Sequence, residues 1–149
     1  MTGYGLLPIK GDVVAIEVYI DGSCTPNPDG IATWASIVRR GEKELWRANG
    51  IAGKGKGMTN NVAEYVALIH TLDWLSSNGY RDSEILIKSD SEMLVEQMNG
   101  TRKARKGLYY PYYIQAKDKV QNFDYIKFIH IDREDNRDAD KLAERAIRR

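Results

Sequence analysis

The chain has 149 residues, one domain's worth at roughly 100–200 residues per domain. Apolar residues make up 42% and charged residues 29%, a globular balance that excludes intrinsic disorder. The 22 Lys and Arg against 21 Asp and Glu leave a net charge of +1, so any polyanion must be held by a local arrangement of charge. No apolar run approaches the roughly 20 residues that span a bilayer, so no membrane partner is expected. Met1 to Gly11 lacks an apolar stretch of signal-peptide length. The single cysteine, Cys24, excludes an internal disulfide and a cysteine zinc cluster, and fits a reducing, cytoplasmic setting. A monomer is expected.

Met1 to Asp12, with three glycines and a proline, reads as a loose leader, and residues 13–149 as one domain. Val13 to Ile20 is rich in Val, Ile and Tyr and predicts a strand ending at the Asp21-Gly22 turn signal. Ile31 to Arg40 and Glu44 to Ile51 follow as strands joined by Arg40-Gly41-Glu42, which suggests an antiparallel meander. Thr59-Asn60-Asn61 supplies helix-capping chemistry. Val62, Val66, Ile69, Leu72 and Leu75 then recur at helical spacing until Asn78-Gly79. Ser83 to Lys88 is a short apolar strand, and Ser89-Asp90-Ser91 opens a second helix with Leu94, Val95 and Met98. A basic, tyrosine-rich stretch (Thr101 to Tyr113) leads to a third helix near Ile114 to Phe123. Tyr125 to Ile131 is a fifth strand. Asn136 to Arg149 closes the chain as a helix carrying Ala139, Leu142, Ala143, Ala146 and Ile147. Strand–helix–strand connections make the later strands parallel. The expected fold is therefore α/β with a mixed five-stranded sheet, its first three strands antiparallel, flanked by helices.

Four acids fall at element ends. Asp21 ends the first strand, and Glu64 lies in the first turn of the first helix. Asp90 follows the fourth strand and caps the next helix, while Asp140 lies in the first turn or so of the last helix. Strand carboxyl ends and helix starts gather at one rim of such a sheet, where ligands bind. Each acid alone reads more readily as a turn, a cap or a solvated charge. Together they would repel one another and raise each other's pKa unless a cation sat among them. Mg²⁺ or Mn²⁺ favours such oxygen ligands, and two ions can promote an in-line phosphoryl displacement.

The motifs add to this. Tyr19-Ile20-Asp21-Gly22-Ser23-Cys24, Asn27-Pro28, Thr59-Asn60-Asn61-Val62-Ala63-Glu64, Ser89-Asp90-Ser91, Arg133-Glu134-Asp135-Asn136 and Ala139-Asp140 occur in this order. From about Val13 to Arg149 the chain resembles the ribonuclease H type 1 family. The resemblance implies the ribonuclease H-like fold and an endoribonuclease, a metal-dependent hydrolase of phosphodiester bonds. Its substrate would be the RNA strand of an RNA–DNA hybrid duplex, cut to leave 5′-phosphate and 3′-hydroxyl ends. It casts Asp21, Glu64, Asp90 and Asp140 as catalytic ligands of two divalent ions, Mg²⁺ or Mn²⁺. Gly22, Ser23, Cys24, Asn60 and Asn61 would then touch the RNA strand, whose 2′-hydroxyls lie open in a shallow minor groove. Asn27 and Thr59 would hold a phosphate of the DNA strand, and cleavage would be largely independent of base sequence.

The sequence departs from the family pattern in places. Many relatives carry a histidine before the last helix, and here Arg133-Glu134-Asp135-Asn136 stands instead, so the resemblance is to the subset lacking it. Glu134 is a candidate for proton transfer or product release, weighed against a solvated loop residue. His70 and His130 read as packed or partly exposed side chains. Glu92 stands where relatives often have glutamine, and a carboxylate there would repel phosphate. Gly53-Lys54-Gly55-Lys56-Gly57-Met58 lacks the Lys-Ser/Thr ending of a P-loop and reads as a flexible basic loop. Arg102, Lys103, Arg105 and Lys106, with Tyr109, Tyr110, Tyr112 and Tyr113, form a short basic stretch suited to gripping a duplex. The alternative is a solvated connection whose tyrosines fill the core. Two other functions compete: a binding module of the same fold that does not cut, and a related nuclease for duplex RNA or DNA ends. Retention of all four acids argues against pure binding.

Overall fold

The computed structural model describes residues 14–148; the leader expected at Met1 to Asp12 lies outside the described residues. Five strands form one sheet in the order β3-β2-β1-β4-β5. They are β1 (Ile16–Thr25), β2 (Ile31–Arg40), β3 (Lys43–Lys54), β4 (Glu84–Ser89) and β5 (Tyr125–His130). The β1–β2 and β2–β3 pairs are antiparallel, and the β1–β4 and β4–β5 pairs are parallel. The helices are α1 (Asn60–Ser77), α2 (Glu92–Asn99), α3 (Tyr110–Val120) and α4 (Arg137–Arg145), the last preceded by a 3-10 turn at Arg133–Asn136.

Alternation along the strands builds a core on each face of the sheet. Ile16, Val18 and Ile20 of β1 pack with Tyr65, Leu68 and Leu72 of α1, Leu94 of α2 and Ala116 of α3. On the opposite face Ala35 and Ile37 of β2 pack against Ala139, Leu142 and Ala143 of α4. Covered on both sides, β2 is buried almost throughout, which explains its continuous apolar run.

Several boundaries differ from expectation. β1 does not stop at Asp21-Gly22: Asp21 pairs with Ala35 and Gly22 with Trp34, and the ladder runs to Thr25. The β2 ladder overrides the local turn preference. On the other side β1 and β4 part after Ile20↔Ser89, and this opening makes room for the site. β3 extends to Lys54, with a register shift beside Ala32/Thr33. α3 begins at Tyr110, with Pro111 in its first turn, because Tyr109, Tyr112 and Tyr113 anchor it on the core. Ile114, expected near the start of this helix, lies inside it and is 47% exposed. α4 ends at Arg145, and Ile147 is exposed rather than packed.

Candidate active site

Each acid arrives on a different element. Asp21 lies on β1 just past the parting of β1 and β4. Glu64 is on α1, whose cap is Thr59; this puts it beyond the first turn expected for it, facing inward. Asp90 lies between β4 and α2, but it is Ser91 that caps α2, its Oγ accepting from Leu94 N at 3.2 Å. The expected cap at Asp90 is therefore corrected: the shorter serine reaches the helix amides, and the Asp90 carboxylate stays free of that duty. Asp140 sits in the first turn of α4.

Carboxylate oxygens of Asp21, Glu64 and Asp90 lie within 4.8 Å of one another. Asp140 lines the same cleft, of about 370 Å³, with Gly22, Ser23, Cys24, Asn60, Asn61, Ser91 and Arg133. Asp21 and Glu64 are 6% and 5% exposed. Burial, then the neighbouring charge of Asp90, pushes the Asp21 carboxyl up from 3.8 to about 7, and Asp140 adds to the rise. Burial first, then Asp21 and Asp90, raises Glu64 well above the usual carboxylate range. Glu64 is held in place by the Gly22 N–H, which donates to Oε1, and by the Ser89 hydroxyl, which donates to Oε2 at 3.3 Å.

The β1–α1 contact depends on Gly22. A Cβ there would meet the Ala63 carbonyl carbon and the Glu64 nitrogen, each at 2.4 Å, and both are backbone atoms that cannot turn aside. Beside it, Cys24 N donates to Asn60 Oδ1 at 2.7 Å, and Asn60 N donates to Asn27 Oδ1 at 3.1 Å. Thr59 Oγ1 accepts from Val62 N at 3.1 Å. These bonds join the end of β1, the β1–β2 loop and the start of α1 in one network.

A family model described as "Reverse transcriptase-like" matches residues 19–146. The bifunctional protein Rv2228c of Mycobacterium tuberculosis is 32% identical over 132 residues, covering 89% of this chain and 35% of its own length. The solved N-terminal RNase H domain of rv2228c superposes with a TM-score of 0.81 at 31% identity, over 91% of this chain and 94% of that one. Ribonuclease HI of Halobacterium salinarum is 29% identical over 139 residues, 89% of this chain and 64% of its own length. LC11-RNase H1, solved in complex with an RNA/DNA hybrid, has a TM-score of 0.81 at 31% identity, over 89% of this chain and 96% of that chain. The chain belongs to the ribonuclease H type 1 family. It spans about a third (35%) of the length of the mycobacterial relative.

The departures from the common ribonuclease H type 1 pattern now have positions. In the turn that replaces the usual histidine, Arg133 faces the acidic cleft, and it is unpaired among the described residues. Glu134 instead lines a separate cavity of about 210 Å³ with Tyr19 and Arg39. Neither Arg133 nor Asn136 was singled out as a site residue from sequence; the run Arg133-Glu134-Asp135-Asn136 before the last helix was the available signal. His70 stacks on Trp34, ring centroids 4.1 Å apart, and His130 is an exposed residue at the end of β5; neither lines the cleft.

The Gly53–Met58 segment is pinned rather than free. Gly55 N donates to Gly30 O, Asp29 N to Met58 O, and Gly57 N to Asp29 Oδ1. Its glycines at positions 55 and 57 have φ of 86° and 95°, which lets the chain make this tight return. In the basic stretch, Arg102 is engaged by Glu96 at 2.8 Å and Glu92 at 3.8 Å. Lys103, Arg105 and Lys106 line an exposed cleft of about 420 Å³ with Tyr110, whereas Tyr109, Tyr112 and Tyr113 pack on the core.

Proposed function

We propose that this chain is an endoribonuclease that hydrolyses the RNA strand of RNA–DNA hybrids with the aid of divalent ions, leaving 5′-phosphate and 3′-hydroxyl ends. The reading rests on one observation above the rest: three carboxylates within 4.8 Å of one another at the parting of β1 and β4, with Asp140 in the same cleft. A relative at 31% identity solved with an RNA/DNA hybrid supports the substrate class.

Hard oxygen donors packed this closely, two of them with raised pKa values, suit Mg²⁺ or Mn²⁺. Asp21, Glu64, Asp90 and Asp140 are the residues that would hold two such ions. When bound, ions of this kind neutralise charge at a scissile phosphate and acidify water. Gly22, Ser23, Cys24, Asn60 and Asn61 line the cleft as small groups that admit the 2′-hydroxyls of an RNA strand in a shallow groove, with the Gly22, Cys24 and Asn60 amides already bonded within the protein. Asn27 uses its oxygen and Thr59 its hydroxyl lone pair within the protein, which leaves the Asn27 NH₂ and the Thr59 O–H for a DNA phosphate. Arg133 brings a fixed positive charge to the cleft, where negative charge builds up on phosphate during displacement. A part for Glu134 in proton transfer or product release requires the Arg133–Asn136 turn to move. Lys103, Arg105 and Lys106 extend the grip on the duplex, whereas Arg102, already engaged by Glu92 and Glu96, adds little to it.

The test is an end-labelled RNA–DNA hybrid incubated with Mg²⁺ or Mn²⁺, beside duplex RNA, duplex DNA, a chelator control and the Asp90→Asn variant. Cutting confined to the RNA of the hybrid, and abolished by chelator and by the variant, is expected. Binding of the hybrid without cutting in either metal would replace the enzyme with a binding module.

A further inference from the structure

Asn136 is 1% exposed and stands at the N-cap of α4, where an asparagine normally turns its side-chain oxygen onto the first amides of its own helix. It does not do so here. Instead Nδ2 donates to Ile20 O at 2.8 Å and reaches Asp90 Oδ2 at 3.5 Å. Its Oδ1 is buried without a hydrogen-bond partner. A flipped amide would set Oδ1 against a carbonyl and a carboxylate oxygen, so the donor assignment follows from the chemistry of the neighbours. A residue that gives up its own helix cap and buries an unpaired acceptor does so at a cost in stability. What it gains lies in the site.

The β1–β4 ladder ends at Ile20↔Ser89, and Asp21 continues against β2 alone. Ile20 O therefore faces the gap where the strands separate, and the Asn136 amide supplies the donor that the next rung would have given. Its second N–H is directed at Asp90. Asp140 follows four residues later on α4, about one helical turn away and on the same side. We infer that Asn136 is a positioning residue: one side-chain amide ties the start of the helix bearing Asp140 to the carbonyl preceding Asp21 and to the carboxylate of Asp90. Only a group with two N–H donors can serve a carbonyl and a carboxylate together, so asparagine is required and aspartate fails. The inference rests on the reading of these acids as a metal-holding set.

The test compares wild type, Asn136→Asp, which keeps shape but replaces both donors with a charge beside Asp90, and Asn136→Ser, which keeps a single hydroxyl donor on a shorter side chain. Gln97→Leu is the control. Gln97 is as buried as Asn136 but bonds to Tyr65 and Tyr109 in the other core. For each protein one would measure the melting temperature in chelator, Mn²⁺ binding from loss of the free-ion electron-spin signal, and kcat and KM on the hybrid. Asn136→Asp is expected to lose about 10- to 100-fold in kcat and in Mn²⁺ affinity, with KM changed by less than about twofold. Asn136→Ser should fall between it and wild type. Gln97→Leu should melt lower yet keep both kcat and Mn²⁺ affinity. Wild-type Mn²⁺ binding and kcat in Asn136→Asp would overturn the inference. Losses that merely track melting temperature across all variants, Gln97→Leu included, would also overturn it, as would failure of both Asn136 variants to fold. If wild type does not cut the hybrid, the proposed function falls, and Mn²⁺ binding decides this point alone: weakened binding in Asn136→Asp upholds it, and equal binding overturns it.

Discussion

At Asp21 the surroundings work against ionisation: burial and the facing Asp90 hold the carboxyl near 7, against 3.8 for a free one. Between those two values the folded protein binds a proton that the unfolded chain has released. The stability that Asp21 contributes to the metal-free protein is therefore fully present below about pH 4 and is lost as pH rises through about 7, with Glu64 shifted in the same direction. Melting in chelator should drop by about 5 °C or more across that range. Saturating Mg²⁺ should narrow the difference, because cation binding removes the repulsion. Asp21→Asn should raise the melting temperature of the metal-free protein near pH 8 while abolishing hydrolysis of the hybrid. A variant that melts lower than wild type at that pH would show that the acids are not under mutual strain.

At the level of elements, the site exists because β1 and α1 approach closely and because β1 outlasts β4. Gly22→Ala would force a Cβ into the backbone at Ala63 and Glu64. A loss of about 1–3 kcal/mol in urea unfolding is expected, together with a fall in activity larger than that loss explains, since Glu64 must move. Ser91→Ala removes the cap of α2 and should cost about 1 kcal/mol, with a smaller effect on cleavage. Equal activity loss in the two variants would mean that Gly22 matters only for stability. The caps and the helix periodicity of α1 were legible in the sequence because both are local. The boundary of β1 was not. Asp-Gly is a turn signal by itself, and ten paired residues of β2 keep the strand extended through it.

Over the whole molecule the charge is nearly balanced, so the proposed binding of a duplex would have to come from placement. Lys103, Arg105 and Lys106 share an open cleft, while Arg102 is already engaged by Glu92 and Glu96. Replacing the first three with alanine should weaken hybrid binding and reduce the slope of log K against log salt by about 2–3. Arg102→Ala alone should change that slope by less than one phosphate contact's worth, about 0.9. An unchanged slope in the triple variant would leave the basic stretch as a solvated connection.

The sequence by itself determined the fold class and the order of elements and singled out four acids that share one cleft, because strand alternation, helix caps and motif order are properties of neighbouring residues. Only the tertiary structure decided which groups meet. It set Arg133 in the cleft and Glu134 outside it, engaged Arg102 with acids of α2, pinned the Gly53–Met58 segment to the β1–β2 loop, and turned the Asn136 amide away from its own helix toward Ile20 and Asp90. Adjacent residues of one short turn, such as Arg133 and Glu134, point to different cavities. That choice is made by the packing of α4 against the sheet, through contacts between residues more than 90 positions apart, such as the Asn49 amide on Leu142 O.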